Sequence, residues 1–105
     1  MNKVLLVGNL VRDVEVRYTM QEKAVAKFTL AINRDIKNKD GNYEADYINC
    51  VLFGEQAKAI SEYLKKGTKV SVEGHIQTGV YEKDGKKVYT TDIVVEKIQF
   101  LDSKK

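Results

Sequence analysis

The sequence predicts an all-β domain with one helix. Three observations support this: apolar residues that alternate with period two in several runs, two Asp-Gly turn pairs, and one stretch with helical spacing. With 105 residues, 43% hydrophobic and 31% charged, the chain fits one globular domain (1–105) with one modest core.

The elements follow in order. Val4-Leu-Leu-Val7 is a first strand, bent at Gly8-Asn9. From Ala24 to Arg34, Ala26, Phe28, Leu30 and Ile32 share one face, and Lys27, Thr29, Ala31 and Asn33 the other. Asp40-Gly41 turns this strand into the next. There Tyr47, Asn49, Val51 and Phe53 lie opposite Asp46, Ile48, Cys50 and Leu52. Glu55 to Lys66 reads as a helix with Ala57, Ile60 and Leu64 on its apolar side and ion pairs from Glu55 and Glu62, stopped by Gly67. Val70, Val72, Gly74 and Ile76 mark a fourth strand. Asp84-Gly85 is a second hairpin tip, and Val88 to Val95, extended through Lys97 to Leu101, is the fifth strand.

Five antiparallel strands with one helix between strands 3 and 4 is the layout of the five-stranded OB-fold barrel, in which the helix plugs one end. Closure also removes the exposed edges that an open sheet would leave.

Several classes are excluded. No apolar run reaches the length of a membrane helix, and the N-terminus lacks a signal-peptide pattern. The lone Cys50 forms no internal disulfide and points to a reducing cytoplasm. His75 has no ligating neighbours at metal spacing, so neither metal nor cofactor is expected. Asp13/Glu15 and Glu44/Asp46 pair carboxylates on strand faces without building a pocket, so an enzyme is not expected. A net charge of +3 permits nucleic-acid binding without requiring it.

The binding candidates are rings and lysines. Tyr47 and Phe53, with Asn49 between them, sit on the less apolar face of their strand, where a flat ring is a platform for a base. Tyr81 lies on a hairpin arm with little core to join. Lys37/Lys39, Lys65/Lys66/Lys69 and Lys83/Lys86/Lys87 cluster near loops, where they suit phosphates. Phe28 and Phe100 read as core, Tyr63 and Tyr89 as structural, and Cys50 as a small buried hydrophobe.

Motifs along the whole chain carry a resemblance. Asn2-Lys-Val-Leu-Leu-Val-Gly-Asn-Leu, Asp13-Val-Glu-Val-Arg-Tyr18, Ala24-Val-Ala-Lys-Phe-Thr-Leu-Ala, Asn49-Cys-Val-Leu-Phe-Gly, Glu62-Tyr-Leu-Lys-Lys-Gly, Val72-Glu-Gly and Tyr89-Thr-Thr-Asp-Ile-Val-Val occur in order. Together they resemble the bacterial single-stranded DNA-binding (SSB) proteins. The resemblance implies an OB-fold, a homotetramer, cytoplasmic and nucleoid-associated location, and sequence-tolerant coating of single-stranded DNA in replication, recombination or repair, with no catalysis. Tyr47, Phe53 and Tyr81 match its base-stacking aromatics, and Lys39 and Lys66 its phosphate-contacting lysines. Lys37 and Lys69 join that set by clustering. Two other readings keep the barrel: a dimeric replication-restart accessory protein, and a protein-interaction module without nucleic acid.

The sequence departs from the family pattern in places. Ile36 stands where a fourth aromatic is usual, leaving a weaker stacking site. Glu55 and Gly79-Val80 stand where basic residues are common. The sequence ends at Asp102-Ser-Lys-Lys105, where the family commonly continues through a linker to an acidic, partner-recruiting tip; recruitment is not carried over. Fewer lysines on phosphate release fewer counterions, so the resemblance implies a shallower salt dependence than that of typical relatives. Parallel titrations across one salt series check this, and a steeper log–log slope would refute it.

Overall fold

The period-two runs all become strands in the computed structural model, which describes residues 1–101; the terminal segment 102–105, on which the tail expectation falls, lies outside the described residues. In chain order the elements are β1 (Val4–Leu10), β2 (Val16–Tyr18), β3 (Ala24–Lys37), β4 (Tyr43–Phe53), α1 (Glu55–Ile60), a 3-10 turn (Ser61–Tyr63), β5 (Lys69–Lys83) and β6 (Lys86–Phe100). They form one sheet in the order β1-β5-β6-β4-β3-β2, and β1 also pairs with β3. That second pairing, Asn9 with Ala31 and Leu10 with Leu30, closes the five long strands into the OB barrel.

The core follows the alternation. Ala26, Phe28 and Leu30 from β3 meet Cys50 and Leu52 from β4, Val70 and Val72 from β5, and Ile93 and Val95 from β6. Ala57 and Leu64, both fully buried, cap this cluster from the α1 side. Burying these apolar groups is the main favourable term in forming the barrel. A bulge near Glu73 and Gly74 leaves Glu96 unpaired on β6, so that both Val95 and Ile98 turn inward. Around that bulge the N-terminal segment is stitched on. Asn2 exchanges two hydrogen bonds of 2.8 Å with the Ile76 backbone. Lys3 bridges Glu73 (3.2 Å) and Glu96 (2.8 Å), and His75 Nδ1 lies 2.8 Å from Glu96. Lys3 first, then His75, holds the Glu96 carboxyl below its usual range.

The structure corrects several expectations. Not all neighbours are antiparallel: β4 and β6 pair in parallel, Cys50 with Ile93 and Val51 with Val94. The short β2 was not foreseen, because three residues are too few to show a period. The helix ends at Ile60 instead of Lys66. Leu64 leaves helical geometry to enter the core, and its carbonyl accepts the Val14 N–H at 2.9 Å. With the helix gone by then, Glu55–Lys58 at 3.3 Å forms, while no Glu62 pair with Lys65 or Lys66 is found among the described residues. Gly67 does take a positive φ of 88°, but in a loop whose N–H donates to Leu10.

Side-chain environments shift too. Val51 is buried, because β6 lies beside it, whereas its face-mates Tyr47, Asn49 and Phe53 stay exposed. Phe100 is not core: it lies 41% exposed at the end of β6, edge-on to Tyr63 with ring centroids 6.4 Å apart. Tyr89 and Ile76 are exposed as well, since β5 and β6 run beyond the core as a two-stranded arm. Asp84 and Gly85, with φ of 53° and 80°, make the tight turn at its tip.

Gly74 marks where two strands crowd. A Cβ there would drive into the Val94 carbonyl oxygen and lie 3.2 Å from Ile93 Cγ2. Gly74→Ala is therefore expected to destabilise the fold by about 1–3 kcal/mol, read as a lowered urea midpoint; an unchanged midpoint would contradict this packing.

Candidate nucleic-acid interface

Sheet order sets β5, β6, β4 and β3 side by side, so their outward residues form one surface. Across it Val94, Val51 and Lys27 are neighbours in one row, with Val25 and Phe53 in the next. Gln77 pairs with Asp92, and Gly79 with Thr90. The segment from Arg12 to Thr19, including β2, rises as a wall along one side. Between this wall and the arm runs a groove of about 900 Å³. Its floor is apolar at Val25, Val51, Phe53 and Val94, and polar toward the arm at Gln77, Thr78, Thr90 and Asp92.

The three candidate rings lie on this outer face. Phe53 lines the groove and is 53% exposed. Tyr47, 67% exposed, stands on the same face of β4, six residues back along an unbroken register. Between them Asn49 accepts the Thr29 hydroxyl at 3.0 Å through Oδ1. Tyr81, 52% exposed, follows Gln77 and Gly79 on one face of β5. Tyr47 and Tyr81 lie outside the groove lining and extend the face beyond it.

The remaining candidates fall at the ends of the barrel. Ile36, 81% exposed, Lys37 and Lys39 gather near the β3–β4 hairpin tip. There the Asn38 side chain accepts the N–H groups of Asp40 (2.9 Å) and Asn42 (3.0 Å), fixing the turn. Lys37 Nζ lies 5.6 Å over the Tyr43 ring. Arg34 is engaged by Asp46 at 2.8 Å and Glu44 at 3.5 Å. Its hydrogen bonds hold the Asp46 carboxyl below the usual range. Lys66 sits beside the groove wall, where its backbone N–H donates to Asp13 Oδ1 at 2.7 Å. Lys69 opens β5 opposite Asn9.

The groove's own cations are Arg12, Arg17 and Lys27, none of which was singled out from the sequence; Tyr18, left unassigned there, also lines it. Lys27 was within reach, because the alternation puts it on the outer face of β3 and the hairpin register sets it opposite Val51. Arg12 and Arg17 flank an irregular segment, and no periodicity places them. Beneath the floor Cys50 is 2% exposed, and burial first, then the charge of Asp92, pushes its thiol up to about 12. It is a packing group, without nucleophilic character at neutral pH.

A groove across the central strands, walled by the segment before the second long strand and by the last hairpin, is where OB barrels take oligonucleotides and oligosaccharides. Fold and groove together define an OB-fold binding protein. Residues 1–101 match the Single-strand binding protein family, and the chain belongs to that family. It is 52% identical over 105 residues to "Single-stranded DNA-binding protein 3" of Listeria innocua, covering 99% of this chain and 66% of that protein. It is 50% identical over 103 residues to the "Single-stranded DNA-binding protein" of Bacillus cereus, covering 97% of this chain and 61% of that one. The chain thus spans somewhat under two thirds of the length of these relatives. Among solved structures, a deletion mutant of the single-stranded DNA binding protein from Thermus aquaticus superposes with a TM-score of 0.81 at 30% identity, over 97% of this chain and 51% of that one.

Proposed function

We propose that this chain is a single OB-fold domain that binds single-stranded DNA without strong sequence preference, coating and protecting it in replication, recombination or repair. The observation that carries this reading is the set of three exposed rings, Tyr47, Phe53 and Tyr81, on one continuous outer face with a groove that includes Arg12, Arg17 and Lys27 in its lining. Bases stack on the rings, and phosphates meet Lys27, Arg12 and Arg17, with Lys37, Lys39, Lys66 and Lys69 farther along the path. Ile36 offers a base an apolar contact but no ring face. Duplex DNA hides the base faces, so single strands are preferred. No step in this activity requires catalysis, a metal or a cofactor.

Four copies assembled as a homotetramer would multiply these contacts, because each further domain binds an already tethered strand. A cytoplasmic, nucleoid-associated location suits the family and the reduced, buried Cys50. Among the described residues no helix is long and apolar enough to cross a membrane.

Phe53→Ala and Tyr47→Ala are each expected to weaken oligo-dT binding by about 1–3 kcal/mol, read by fluorescence anisotropy, with the assembly unchanged. Undiminished affinity in both would refute stacking at this face, and unquenched tyrosine emission on adding oligo-dT would favour a protein-interaction module instead. Light scattering of the purified chain is expected to give four protomer masses; two would favour the dimeric accessory reading.

A further inference from the structure

We propose that Tyr43 is a further base-stacking ring, carrying the single-stranded DNA path to the end of the β3–β4 hairpin; the inference rests on the reading above. β4 runs unbroken from Tyr43 to Phe53, so alternation sets Tyr43, Ala45, Tyr47 and Asn49 on one face with Phe53. The irregularity of this hairpin falls between Asn33 and Lys37 on β3, and the register resumes with Lys37 opposite Tyr43. The Tyr43 ring therefore continues the line of Phe53 and Tyr47. By strand rise it lies about 14 Å beyond Tyr47, against roughly 20 Å from Phe53 to Tyr47. A DNA strand that spans the longer gap can span the shorter one.

The surroundings of the ring suit a base. No residue from Arg34 to Glu44 is buried, so Tyr43 has no core to fill, and it is 56% exposed. Lys37 Nζ stands 5.6 Å over one face of the ring and leaves the other for a base. The ammonium is thereby held beside the stack, where it can meet the phosphate of the stacked nucleotide. Charge on the two faces of the hairpin is divided. Glu44 and Asp46 alternate to the opposite face, where Arg34 engages them at 3.5 Å and 2.8 Å. On the Tyr43 side Lys37, Asn33, Ala31 and Thr29 stand in register, so no carboxylate is paired with this track. A polyanion is drawn to that side. The turn is also set beforehand, because the Asn38 N–H donates to the Asn42 carbonyl at 2.8 Å, and little order has to be imposed on binding. A ring that served only to steady Lys37 would act through charge, which salt separates from stacking.

The test titrates the full chain with labelled oligo-dT across a salt series, read by anisotropy. Tyr43→Leu keeps apolar bulk without a π-face and is expected to weaken binding about fivefold or more, whereas Tyr43→Phe stays close to the wild-type chain. The log–log salt slope of Tyr43→Leu should match that of the wild-type chain, because a ring releases no counterions. The sequence holds no tryptophan, so Tyr43→Trp places a single reporter at the ring position. Its emission should be quenched as oligo-dT saturates the chain. Undiminished affinity in Tyr43→Leu, an unquenched Tyr43→Trp, or a Tyr43→Leu loss that comes with a shallower slope overturns the proposal while leaving DNA binding at Tyr47 and Phe53 intact. Failure of the wild-type chain to bind oligo-dT overturns the underlying reading as well.

Discussion

The parallel contact between β4 and β6, only Cys50 with Ile93 and Val51 with Val94, is the constraint on which the rest of this structure depends. Without it the barrel would open into a sheet running from β4 through β3, β1 and β5 to β6, with β4 and β6 as exposed edges. With it, the inner faces of the strands enclose one core and their outer faces become one surface. A parallel pair needs a long crossover. Here the crossover comprises α1, the 3-10 turn and the whole of β5, and it delivers Ala57 and Leu64 to the end of the core on the way. The early end of the helix therefore belongs to the same constraint: Leu64 contributes more by filling the barrel end than a further helical turn would.

The groove is the outer counterpart of that contact. Val94 and Val51 meet across it, so the floor is apolar where the two hairpins join, with Phe53 beside it. Polar and charged residues lie on either side, cations toward β3 and the Asp92 carboxylate on β6. Tyr47 and Tyr81, each more than half exposed, continue the surface beyond the groove. A binding face of this kind is held rigid by strands instead of loops, which suits a ligand read by stacking and charge.

Much of the fold was legible in the sequence because strand periodicity is local. Ala26, Phe28 and Leu30 alternate inward as their spacing demands, and the Asp40-Gly41 and Asp84-Gly85 turns fall where the hairpins reverse. What failed was non-local. Val51 reads as an outer-face residue and is buried only because β6 lies next to it. Phe100 reads as core and Tyr89 as structural, yet the arm and the end of β6 extend past the core that would have covered them. Of the site, the rings were visible as aromatics of a single strand parity or on a hairpin arm. Arg12 and Arg17 were not, because an irregular segment has no period from which to infer a direction.

The sequence by itself determined the five long strands, the two tight turns, the identity of the core face and the exposed placement of Tyr47 and Phe53, since each depends on residues close along the chain. Tertiary structure alone decided which strands became neighbours, where the helix stopped, and that Arg17, Lys27, Phe53 and Asp92 share one groove. Those outcomes depend on burial and strand pairing between segments tens of residues apart, and no local pattern encodes which distant partner a strand edge will find.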